Sequence, residues 1–301
     1  TIANITIVES SALDFGGLTV TGDLTATVSN GAVTQSGALV VPGTTTVSAS
    51  SQNVTFNDVS NNFGTIGVTG ADVSIVDSNA VVLGASTVSG TYTVETKSSN
   101  ITNTGTLTIT GVPTFKVVNG ASISVDSANN NFVATPVFTA TSGTIADVTI
   151  VDNSALAFSA LTLTGNLTAT VTDGTNTNGA VTQTGALVIP GTTTITATGS
   201  NVTLENTSNN FATIGVTGAT VALRDAGAVI LGTSTVSGTY TLTAGGAVTQ
   251  SGALAIASDV TTISASGQNV TLENSSNNFA TIGVTGATVA LRDAGAVILG
   301  T

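Results

Sequence analysis

Few residues in this chain could carry chemistry. Sixteen Asp and Glu stand against four cations, Lys97, Lys116, Arg224 and Arg292, and there is no His and no Cys. Acid–base or metal-assisted hydrolysis needs carboxylates gathered at one point. The pairs nearest in sequence, Asp72 with Asp77 and Asp147 with Asp152, read as turns of different strands. The chain is therefore read as a non-enzyme with no metal site and no cofactor. "RD" recurs at Arg224–Asp225 and Arg292–Asp293, and a surface ion pair at a corner is expected there. The candidate binding residues are Phe115 and Lys116, an aromatic and a cation side by side in the irregular stretch "GVPTFKVVNG" from Gly111 to Gly120.

Other patterns point to architecture. Thr-x-Thr runs such as "TLTIT" (Thr106–Thr110) could form a flat ice-binding face, but coils without them intervene, and Thr is a favoured outward strand residue. Asn-x-Ser/Thr triplets begin at Asn4, Asn53, Asn100, Asn166, Asn201, Asn206, Asn269 and Asn274, each leading into a Thr-rich segment. A net charge of −12 leaves no basic patch to neutralise phosphates, so nucleic acid is not an expected partner. No apolar run is long enough for a spanning helix, and nine Phe with two Tyr are too few for the girdles of a membrane barrel. Membrane insertion is not expected. With 41% hydrophobic and 7% charged residues the chain should fold rather than stay disordered.

What must position these residues is a repeat. "SNNFATIGVTGATVALRDAGAVILGT" occupies Ser208–Thr233 and returns unchanged at Ser276–Thr301, an offset of 68. The marker "NNF" ends at Phe63, Phe132, Phe211 and Phe279, spaced 69, 79 and 68. "GAVTQ" starts at Gly31, Gly179 and Gly246. A longer repeat, offset by 143 and then 148, aligns "TIANITIVESSALDF" (Thr1–Phe15) with "TIADVTIVDNSALAF" (Thr144–Phe158); its insertion, "TDGTNTNG" (Thr172–Gly179), is expected in a loop.

Within a unit, short β-branched runs alternate with Gly, Asn, Asp or Ser. Three such runs fill each of the segments Thr220–Gly238, Thr239–Val260 and Thr261–Ala287, whose lengths run from 19 to 27. That is one coil of a three-faced parallel β-helix. The reading is an all-β, right-handed solenoid of about 13 coils, a single continuous rod over 1–301 whose repeat is three coils. The two identical copies are then expected on the same face, three coils apart. Val, Ile and Leu point inwards and Thr outwards, and the Asn of "NNF" is read as a turn residue.

The blocks "GAVTQSGAL", "NVTLENTSNNF" and "VTGATVALRDAGAVILG" resemble the repeats of filamentous-haemagglutinin-like bacterial surface adhesins exported by two-partner secretion, and of related giant β-strand-repeat proteins. The resemblance covers nearly the whole chain, least clearly Lys97–Ala128. It implies a β-helical shaft, export to the bacterial cell surface, and a part in attachment, biofilm or filament formation. It brings no catalytic residues to carry over. On this reading the chain is a structural segment of a longer extracellular protein. Its partners are copies of itself or flanking coils stacked end to end, and cell-surface or matrix glycans. The alternative reading is a carbohydrate- or surface-binding adhesin module.

Overall fold

The computed structural model describes residues 2–172 and 179–300. Most of the "TDGTNTNG" insertion lies outside the described residues. Among those described there is no helix, and strands pair in parallel, each with a counterpart one coil on. The fold is a right-handed parallel β-solenoid of about 14 turns. It divides into two compact units, Thr1–Asn153 and Ser154–Thr301.

In the first unit Ile5, Leu24, Thr45 and Ile66 are successive ladder partners, their numbers stepping by 19, 21 and 21. A second ladder of seven strands runs from Leu13–Phe15 through Val33–Gln35, Val54–Phe56, Val73–Asp77, Tyr92–Thr96 and Pro113–Val117 to Val137–Ala140. In the second unit Val181, Val202, Val221, Tyr240, Thr261 and Ile282 form one stack, with steps of 21, 19, 19, 21 and 21. Steps range from 17 between Ile282 and Leu299 to 26 between Leu161 and Leu187, close to the coil lengths read from the sequence.

The alternation of side chains along a strand explains the composition. Along Val73–Asp77 the side chains of Val73, Ile75 and Asp77 are buried, and in Tyr240–Ala244 so are Tyr240, Leu242 and Ala244. The aromatic residues all go inwards: nine Phe and two Tyr are buried, most of them fully. In the first unit Phe115 packs edge-on to Tyr92 at 6.3 Å between ring centroids and stacks on Phe138 at 5.9 Å. Each buried Phe contributes roughly 1.5–3 kcal/mol of hydrophobic free energy to holding coils together.

Tight corners explain part of the glycine content. A Cβ on Gly105 would run into the backbone of Ala85 in the coil before it, so the chain passes there only without a side chain. At another corner Gly199 and Gly267 adopt the left-handed backbone, with φ of 76° and 74°. The first unit places Ser51 at the matching position with φ 62°.

One expectation is corrected. Three coils carry the chain from Ile5 to Ile66, and likewise from Val221 to Ile282, a step of 61 in both cases. The repeat steps by 68. It therefore comprises three coils plus one further short strand, and equivalent strands do not stack. Ile5–Glu9 pairs with Leu24–Val28, while its sequence equivalent Val73–Asp77 lies in the seven-stranded ladder. Val221 stands in the column of Tyr240 and Thr261, whereas the identical Val289 stands on Val270 in the column of Val248 and Val229. The duplicated segment thus shifts round by one face.

Candidate functional site

Phe115 and Lys116 do not sit in an irregular loop. They belong to the regular strand Pro113–Val117, and its alternation sends Phe115 into the core, fully buried among Tyr92, Phe132 and Phe138. Its ring offers no face to an outside partner. Lys116 points outwards beside Glu95, which lies in register one coil before it. The Lys116 Nζ is 3.4 Å from Glu95 Oε1, the Lys97 Nζ is 2.6 Å from the same oxygen, and Thr141 Oγ1 donates to it at 3.3 Å. Burial works against the Glu95 charge, but the hydrogen bond from Lys97 and the two ammonium charges outweigh it and hold the carboxyl below its ordinary range. These three side chains satisfy one another.

The recurring polar residues are joined inside the solenoid. Asn61, the first Asn of "NNF", is fully buried. Its Nδ2 donates to Gln35 Oε1 at 2.8 Å and to the carbonyls of Phe56 and Val76 at 3.2 and 3.1 Å. Its Oδ1 accepts from Gln35 Nε2 and from the Leu39 amide, both at 2.8 Å. Gln35 is the last residue of "GAVTQ", so the two sequence markers are partners in one clamp across neighbouring coils. The clamp recurs as Gln183 with Asn209 and Gln250 with Asn277. In the block without "GAVTQ", Asn103 fills the place of Gln and donates to Asn130 Oδ1 at 3.1 Å. The turn-residue reading of this Asn is therefore corrected: it is an interior group whose hydrogen-bonding capacity is used up by the coils it joins. Without those partners such a group would be costly to bury.

A second recurring contact links each block to the next. Asp77 accepts from the Phe63 amide at 2.7 Å and from the Asn79 amide at 2.7 Å. Asp225 accepts from the Phe211 amide at 2.6 Å and from Gly227 at 2.8 Å, and Asp293 repeats this with Phe279 and Gly295. Asp152 accepts from Phe132 at 3.3 Å. Burial pushes the carboxyls of Asp77 and Asp225 up, more than these amide donors bring them down. The "RD" pair is accordingly not an ion pair. Asp225 is buried and faces the backbone, while Arg224 is exposed and makes no ion pair or hydrogen bond among the described residues.

A ladder does form, but at outer corners. Asn4 Oδ1 accepts from the Asp23 amide, and Asp23 Oδ1 from Thr44 in the coil beyond. Asn53, Asp72 and Thr91 repeat the pattern, and Asn100, Asn166 and Asn201 accept from Ser122, Thr192 and Thr220. Five of the Asn-x-Ser/Thr triplets thus begin at corner residues that hold the following coil. Among the described residues no group of three or more His, Cys, Asp or Glu is placed to hold a metal ion, and no helix is long and apolar enough to cross a membrane.

Coils stacked in parallel and joined by recurring side-chain clamps define a structural repeat protein of the β-solenoid class. The chain belongs to the family described as repeats of unknown function (DUF5649), whose model matches residues 3–69, 70–139, 145–217 and 218–286. Each match contains one Asn61-type clamp, and the Asp contact reaches from one match back into the one before. No curated protein and no solved structure matches the chain.

Proposed function

We propose that this protein is a structural shaft or fibre segment of an extracellular bacterial surface protein, supporting attachment, biofilm or filament formation. The observation that carries the reading is how the recurring polar residues are used: in every block a buried Asn, its Gln or Asn partner and an Asp join coil to coil. Inside the solenoid and at its outer corners alike, these recurring side chains spend their hydrogen bonds on the neighbouring coil. In a solenoid each repeat contacts only its neighbours, so adding repeats adds reach at little risk to folding. A low charge content and burial of the aromatic residues suit a spacer, and the resemblance to secreted adhesin repeats supplies the cell surface and the end-to-end partners.

The test is immunolabelling of intact cells of the source bacterium, together with surface attachment by a strain lacking the protein. Labelling before permeabilisation and a loss of attachment are expected. Labelling only after permeabilisation would overturn the reading.

A further inference from the structure

The contrast between the two units around Arg224 points to a ligand. In the first unit Val76, Glu95 and Lys116 are successive register partners, and Glu95 answers both nearby lysines from within the protein. The equivalent column of the second unit reads Arg224, Thr243 and Ser264. The cation has moved to the first position, and the place of the carboxylate is taken by a hydroxyl. Glu205 is the register neighbour on the other side, since Leu204 pairs with Leu223, yet it forms no ion pair with Arg224. Asp225, next in sequence, has each of its oxygens taken by a backbone amide.

Arg224 lines an open groove of about 390 Å³ together with Thr207, Thr243, Ser264, Ser266 and Asp225, whose carboxylate oxygens are turned to the backbone amides of Phe211 and Gly227. A guanidinium offers a planar fork of donors that matches an oxyanion in two parallel hydrogen bonds. Four hydroxyl-bearing residues line the same groove, and hydroxyls can both donate and accept, which suits the alcohols of a sugar. The groove is larger than a lone anion requires, and no aromatic ring faces it.

We propose that this groove binds an oxyanion carried on a sugar, an acidic glycan unit held by Arg224 with Thr243 and Ser264 receiving its hydroxyls. The site is independent of where the protein resides, so it can fail while the shaft reading stands, and the reverse.

The experiment is calorimetric or NMR titration of the whole chain at low salt, on the order of 20 mM so that screening is weak. The probes are a galacturonic acid tetramer, the matching uncharged galactose tetramer, and inorganic phosphate. The charged tetramer is expected to bind, with the neutral tetramer and phosphate at least about tenfold weaker. Arg224→Ala should remove binding and Arg224→Lys weaken it. Thr243→Glu transplants the internal carboxylate of the first unit and should abolish binding while the circular dichroism and melting temperature stay unchanged. No binding of the charged tetramer, or equal binding by the Thr243→Glu variant, overturns the proposal. Phosphate binding as tightly as the tetramer overturns its glycan part and leaves a free-anion site.

Discussion

At the scale of single residues, the buried amides are what this fold can least spare. Truncating Asn209 to Ala would strand Gln183, the Leu187 amide and the Leu204 carbonyl, which it now satisfies. At about 1–3 kcal/mol per orphaned buried group, a loss of at least ~3 kcal/mol is expected in thermal or denaturant unfolding. The opposite sign is expected at two other places. Ser51 holds a left-handed backbone where the sister corners use Gly199 and Gly267, so Ser51→Gly should stabilise by ~1 kcal/mol, and Gly199→Ser should cost as much. Thr45, Thr193 and Thr261 each bury a hydroxyl that finds no partner, so Thr261→Val, nearly the same shape, should raise stability by ~1 kcal/mol. None of these three positions announces itself in the sequence. Asn looks the same whether it sits exposed in a turn or satisfied in a core, and only the near-constant spacing from the Gln of "GAVTQ" to the first Asn of "NNF", 26 or 27 residues in three of the four blocks, hints that the two meet.

Among the elements, strand positions and coil lengths were legible, because inward Val, Ile and Leu alternate with outward Thr and corners carry Gly, Asn or Asp. The strand Pro113–Val117 was not: Pro113 and the Phe–Lys pair suggested irregularity, yet the alternation that buries Phe115 also places Pro113 and Val117 inside. The Asp contacts that close each block make a pH prediction. Because burial raises the Asp225 carboxyl above its unfolded value, the proton is bound more tightly in the folded state than in the unfolded one. The stability tied to that proton is complete below the unfolded value, about pH 4, and is lost as the pH rises through the folded one. The difference in melting temperature between the wild type and Asp225→Asn, which cannot titrate, should therefore shift against the wild type from about pH 4 to about pH 7. Glu95, held down by its lysines, works the other way, so the comparison with the variant rather than the wild-type profile alone is the decisive measurement.

For the molecule as a whole, solenoid class and repeat length came from spacing alone, whereas the relation between repeat and coil did not. Dividing 68 by three gives a plausible coil, and only the ladder partners reveal that three coils end at Ile282, short of the next copy of Val221 at Val289. If the blocks are interchangeable, inserting a further copy of Gly218–Thr285 after Thr285 creates only junctions already present. Ellipticity per residue should then stay the same, with a melting temperature no lower than that of the parent; a drop in either would mean that the blocks depend on their order. The extra strand in each repeat has another outcome. A residue that recurs in sequence comes up on a different side each time, like a mark on a thread that is wound a little more than three times between marks. Where a stripe of one chemistry does run along the coils, as in the hydroxyl column Thr55, Ser74, Thr93 and Thr114, it is therefore assembled from different positions of the repeat.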